Sequence, residues 1–314
     1  MTDYPASADA HASGPSALRR FAGAFWADTK TVIGAMLRLF RRHGLRVFGL
    51  ALVVQILGYG GFTILSAPLA FVPEASWWSG TWGWHLLMAV HCVLIAIVMP
   101  VGVGFEYALY RLLAGEAGGL HTLATGFRSV RLYLNTAAAC FLMFAAMMAL
   151  NMLWAAIPWD WCWERFYDIV APDSPLAGLL FSIPGLGRGL ATLHWVAKEL
   201  LHLPLTWTAL AVIAQGQSVL SGLRISVRLT LRHRSLALVL IIVMFVMTFQ
   251  KYAQMLRLSE WDYSGPTLTI VPWANLASST LIQAVAVAIE SAASVVIYRE
   301  MLARERSPAP LPPA

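Results

Sequence analysis

Apolar runs alternate with short basic stretches along this chain. Runs at 47–65, 86–109, 135–157, 193–214 and 273–298 approach or exceed the roughly 20 residues needed to cross a hydrocarbon core, and a shorter run lies at 236–252. The first, third and fifth of these six follow directly on basic segments. The spacing predicts an all-α polytopic membrane protein with six transmembrane helices.

The first basic segment, 18–43, has helical periodicity. Leu18, Phe21, Ala22, Phe25, Val32, Ile33, Met36, Leu37 and Phe40 fall on one face, and Arg19, Arg20, Lys30, Arg38, Arg41 and Arg42 flank or oppose it. A basic amphipathic helix of this kind lies in the headgroup plane rather than across the bilayer. The second segment, Gly126 to Leu134, and the third, Gly222 to Arg234, share Ser-Val-Arg-Leu-x-Leu. A fainter echo, Arg-Leu-x-x-Arg-His, links Arg38–His43 to Arg228–His233. The expected architecture is three parallel repeats. Each has a basic interfacial helix, a span, an outer connection and a second span.

The composition, 59% hydrophobic and only 12% charged, asks for lipid as solvent, since a soluble domain is nearer a quarter charged. Of the 22 lysines and arginines, only Arg165, Arg188, Lys198, Lys251 and Arg257 fall on the side away from the basic segments. The positive-inside rule then places both termini in the cytoplasm. Trp77, Trp78, Trp82 and Trp84, and the Trp-rich acidic loop 158–189, face outward. The membrane domain is expected over 18–303, between disordered tails at 1–17 and 304–314. Cys92, Cys140 and Cys162 are too scattered for a disulfide framework or a Cys-x-x-Cys site.

The junctions carry further signatures. One is Pro100, Gly104, Glu106-Tyr107, Tyr110-Arg111, Gly115-Glu116 and Leu123-Ala124-x-Gly126-Phe127-Arg128; the other is Ala214-Gln215-Gly216 with Gly222-Leu223-x-x-Ser226-Val227-x-Leu229. From Phe21 to Arg304 the chain resembles a loose group of bacterial six-span membrane proteins. That group includes the membrane domain fused to some glycerophosphodiester phosphodiesterases. The resemblance implies a six-helix inner-membrane protein. No phosphodiesterase activity is carried over, because these 314 residues hold no hydrolase domain.

Few residues suggest chemistry. Glu290 lies inside the sixth run, on a face with Ala286 and Ser294, and Gln283 stands two turns earlier. An ionisable side chain at membrane depth is a functional candidate: Glu290 is either a proton or cation site or a structural bond between helices. His194, Lys198 and His202 share one helical face beside Glu199, either as the polar entrance to an outer cavity or as snorkelling side chains. His85 and His91 are six apart and cannot form a His-x-x-x-His zinc pair. The glycine-rich run 183–189 follows no strand and matches no phosphate loop. No cofactor is implied, and nucleic acid is not the expected partner, because the basic segments abut spans. Arg38, Arg41, Arg42, Arg128, Arg131, Arg224 and Arg228 are expected on anionic lipid headgroups. The leading reading is a non-catalytic protein that organises lipids or partner proteins. A transporter or channel using Glu290 is the alternative. An outward-facing enzyme comes last, because no nucleophile–base pair or metal set can be assembled.

Overall fold

A computed structural model gives the fold and describes residues 15–70, 81–157, 197–198, 200–259 and 271–306. It is helical, with no strand among the described residues. Among the described residues three stretches are long and apolar enough to cross a membrane: Cys92–Leu113, Val130–Leu150 and Thr280–Arg306. A fourth is formed if the bent pair Val219–Arg232 and Arg234–Met247 counts as one span. The chain is therefore a helical protein of membrane character.

Helix α1, Pro15–Ala70, is interrupted at His43, whose φ of −134° and ψ of 16° are not helical. The break falls where the basic segment was expected to give way to a span. The buried side of the first half is narrower than its apolar arc. Asp28, Val32 and Leu39 are buried, while Leu18, Ile33 and Leu37 are exposed. The arc is wide enough for two contacts, one with protein and one outward.

Helices α2, Thr81–Val98, and α3, Pro100–Leu113, meet at a turn on Met99. Pro100 opens α3 at the position where its missing N–H costs nothing. Helix α3 closes in a Schellman motif: Glu116 N donates to Arg111 O (2.9 Å), Gly115 N to Leu112 O (3.1 Å), and Gly115 sits at φ 79°. A short α4, Leu120–Leu123, and a 3-10 turn, Ala124–Phe127, lead to α5, Val130–Ala155. The N-cap of α5 is Ser129, whose Oγ accepts from Leu132 N at 3.2 Å. Helix α6, Thr208–Gln215, continues an apolar helix begun at Leu200 and ends on Gly216 at φ 63°. Then come α7, Val219–Arg232, α8, Arg234–Ser259, and α9, Val271–Arg306. Helices α7 and α8 meet at His233 with a bend of 98°.

The faint echo and the strong one fare differently. Arg38–His43 and Arg228–His233 do corresponding things: Leu39 and Leu229 are buried, and each histidine stands at a helix break. The shared Ser-Val-Arg-Leu does not. Ser226 is buried in the middle of α7, whereas Ser129 is exposed and caps α5. The local geometry follows another register. Gly118 and Gly222 each press on the preceding helix, and each is followed eleven residues later by the break before a long helix.

Two compact units divide the chain. One comprises Met1–Ile56, Phe105–Leu123 and Arg228–Ala314, the other Leu57–Gly104 and Ala124–Val227. In the first, α8 packs on α9. Along α9, Ala292, Ala293, Val295, Val296, Ile297 and Tyr298 are all buried, and Tyr110 meets Tyr298 at 6.3 Å. In the second, α5 packs on both α2 and α6. Buried Trp207 donates its backbone N–H to Ser226 Oγ at 3.2 Å, fixing α7 to the start of α6.

Candidate functional site

The most organised polar cluster lies in the first unit, where α1, α7, α8 and the end of α9 meet. It begins with an acid in a basic helix. Asp28 sits on the same stripe of α1 as Val32 and Leu39, so packing that stripe buries the carboxylate to 4% exposure. A buried carboxylate must be paired, and Asp28 has two donors. Arg304 Nη2 donates to Oδ1 at 2.6 Å and Ser235 Oγ donates to Oδ2 at 2.5 Å. Arg304 also donates through Nε to Glu300 Oε1 at 3.0 Å, one helical turn earlier. Its neighbour Glu305 accepts from Arg228 at 3.0 Å and Arg232 at 3.5 Å. The result is two adjoining ion-pair sets: Asp28, Arg304 and Glu300 in one, and Glu305, Arg228 and Arg232 in the other.

His233 lies at the break between α7 and α8, beside these sets. Its Nε2 is buried with no hydrogen-bond partner among the described residues. Burial lowers its pKa below the usual value; Arg304 and Arg232 push the same way, and Glu305 and Asp28 oppose them. An unfolded imidazole titrates near 6.5. With the folded pKa lower, the neutral ring contributes stability above about pH 6.5 that is lost as pH falls through the folded value. His233→Gln is expected to flatten that loss. Melting temperatures recorded against pH below about 6.5 check this, and an unchanged slope in the variant would place the titration elsewhere.

The residues singled out from the sequence scatter. Glu290 is half-buried in α9 and is not without a partner, with buried Ala286 and Ser294 one turn to either side. Gln283 is half-buried two turns away. Of the expected outer entrance only Lys198 and His202 can be placed. His202 Nε2 lies 2.9 Å from Met143 Sδ, and His194 and Glu199 lie outside the described residues. So do Cys162, Trp77, Trp78, the loop 158–189 and the side chain of His91. Arg38, Arg41, Arg42, Arg128, Arg131 and Arg224 are exposed. Arg228 is also exposed and is paired with Glu305 at 3.0 Å. Helix α9 runs to Arg306, into the segment expected to be a tail, and those last residues supply Arg304 and Glu305.

Sequence reasoning passed over Asp28, Ser235, Arg304 and Glu305. A signal for two of them was present. Asp28 falls on the helical face of Phe25 and Val32, where a solvated charge does not belong. Glu300 and Arg304 form an i, i+4 pair in the favourable order, which argues for helix through Arg304. The cluster holds acids and bases locked to one another by short bonds, an arrangement suited to joining helices. Comparison with known protein families, curated proteins and solved structures returns no match.

Proposed function

We propose that this chain is a non-catalytic integral membrane protein whose basic surface helices bind the anionic cytoplasmic leaflet and organise lipids or partner proteins there. Six spans in three parallel copies, both termini in the cytoplasm of a bacterial inner membrane and kinship with the six-span group belong to the same proposal.

The observation that carries it is a three-sector pattern found twice. On α1 the buried stripe of Asp28, Val32 and Leu39 is followed around the helix by exposed Trp26, Ile33 and Leu37, and then by Lys30, Arg41 and Arg38. On α7 the buried stripe of Gly222, Ser226, Leu229 and Thr230 is followed by exposed Leu220 and Leu231, and then by Arg224, Arg228 and Arg232. A helix wholly in water gains nothing from an exposed apolar line. A helix lying at the acyl–headgroup boundary needs such a line beside its cations. Lys30 Nζ above the Trp26 ring, at 5.6 Å, pairs an interfacial aromatic with a cation. The 98° bend at His233 suits a surface helix feeding a span.

Spin labels on single-cysteine variants of the full chain in vesicles test this. Depth along 18–42 and 219–232 is expected to oscillate with the helical period. Positions 26, 33 and 37 should be deepest and 38, 41 and 42 shallow. Steady deepening along either segment would make it a span and remove the basis of the proposal.

A further inference from the structure

We propose that the break in α1, with Arg38, Arg41, Arg42 and Arg46 around it and Leu45 at its exposed tip, is the principal binding site for the phosphate headgroup of an anionic phospholipid, and that the arginines of α7 beside Glu305 are not. This rests on the reading of the surface helices given above and says which of them selects the lipid.

Exposed arginines differ in whether the protein has already satisfied them. Arg228 and Arg232 share Glu305, Arg304 is held by Asp28 and Glu300, and Arg111 is paired with Glu116 at 2.8 Å. Arg38, Arg41, Arg42 and Arg46 are exposed and make no ion pair among the described residues. The sequence has no carboxylate from residue 29 to residue 73 that could reach them locally. Four uncompensated guanidiniums within nine residues give this segment a strong local positive field. A guanidinium also matches a phosphodiester bidentately. Arg38, Arg41 and Arg42 fall on one side of the helix by its 3.6-residue period.

The apolar side chains decide between a lipid and a soluble phosphate. Leu45 is 93% exposed and Leu37 64% exposed. Both stand next to the arginines, and His43 breaks the helix between them. A soluble anion offers nothing for these side chains to contact. A phospholipid places acyl chains directly below its phosphate. At the corner of α7, Glu305 offsets part of the charge of Arg228 and Arg232.

The full-length protein in nanodiscs of mixed phosphatidylglycerol and phosphatidylcholine provides the test, with spin-labelled lipid reporting the preference for phosphatidylglycerol. Each arginine near an anionic surface contributes about a fivefold preference, so R41Q/R42Q is expected to reduce selectivity about 25-fold. R228Q/R232Q, at arginines that share Glu305, is expected to reduce it by less than R41Q/R42Q does. Loss of selectivity in the α7 variant but not in the α1 variant would overturn this inference and leave the broader reading standing. No preference in the wild-type protein would remove the broader reading itself. Inorganic phosphate added to the wild-type nanodiscs should not compete. Competition would identify a site for a soluble phosphate and overturn the assignment to lipid.

Discussion

Asp28→Ala should cost about 3 kcal/mol and lower the apparent melting temperature by roughly 5–10 °C. The carboxylate is buried, and it accepts from Arg304 and Ser235 at 2.6 and 2.5 Å. Removing one partner of a buried pair costs about 3–5 kcal/mol, because the other charge is left stranded. The low end applies here for two reasons: the Arg304 side chain retains 38% exposure, which screens it, and Glu300 still holds its Nε. Asp28→Asn should fall between Ala and wild type. The amide oxygen can still accept from Ser235, but the amide brings no charge to Arg304. Thermal unfolding of the purified protein in nanodiscs measures the effect. A double-mutant cycle with Arg304→Ala then isolates the pair from general loss of packing. A shift under about 1 °C for Asp28→Ala would mean that the clasp does not hold α1 to the ends of α8 and α9.

This clasp also shows where the sequence stopped being legible. The boundary between surface helix and following segment could be read at His43 and His233, because Arg-Leu-x-x-Arg-His places a leucine inward and exposed arginines around it in both copies. The stronger word, Ser-Val-Arg-Leu, takes two different structural positions. A short hydroxyl serves equally as an N-cap, as Ser129 does for α5, and as a buried acceptor inside a helix, as Ser226 does for Trp207 N. Only tertiary packing chooses between the two. Asp28 was hidden for a related reason. Its partner Arg304 lies 276 residues away, and no local pattern reports a pairing at that range. The helical character of each described apolar run was legible. The number of crossings was less so: among the described residues the structure carries three clear spanning helices and one bent pair, and part of the fourth expected run lies outside those residues.

Substituting alanine at Gly118 or Gly222 should destabilise the protein by about 1–3 kcal/mol, the usual cost of overpacking. In a membrane, helices approach closely only where small residues let their backbones meet. An added Cβ at Gly222 would stand 2.8 Å from the Thr208 carbonyl oxygen and 3.2 Å from Val212 Cγ2. At Gly118 it would stand 2.6 Å from the Ala108 oxygen and 2.7 Å from Leu112 Cγ. The nearest obstacle in both cases is backbone, so no change of rotamer relieves it. Either the segment lifts off the preceding helix or that helix end deforms. Gly49 supplies the opposite case. It lies in α1 with nothing within 4 Å of an added Cβ, so Gly49→Ala should stabilise by up to about 1 kcal/mol through helix propensity alone. The signs should therefore split, with Gly49→Ala raising the melting temperature and Gly118→Ala and Gly222→Ala lowering it. If Gly118→Ala and Gly222→Ala raised it as Gly49→Ala does, close approach would not govern these positions. The eleven-residue spacing from each tight glycine to the next helix break would then have no energetic basis.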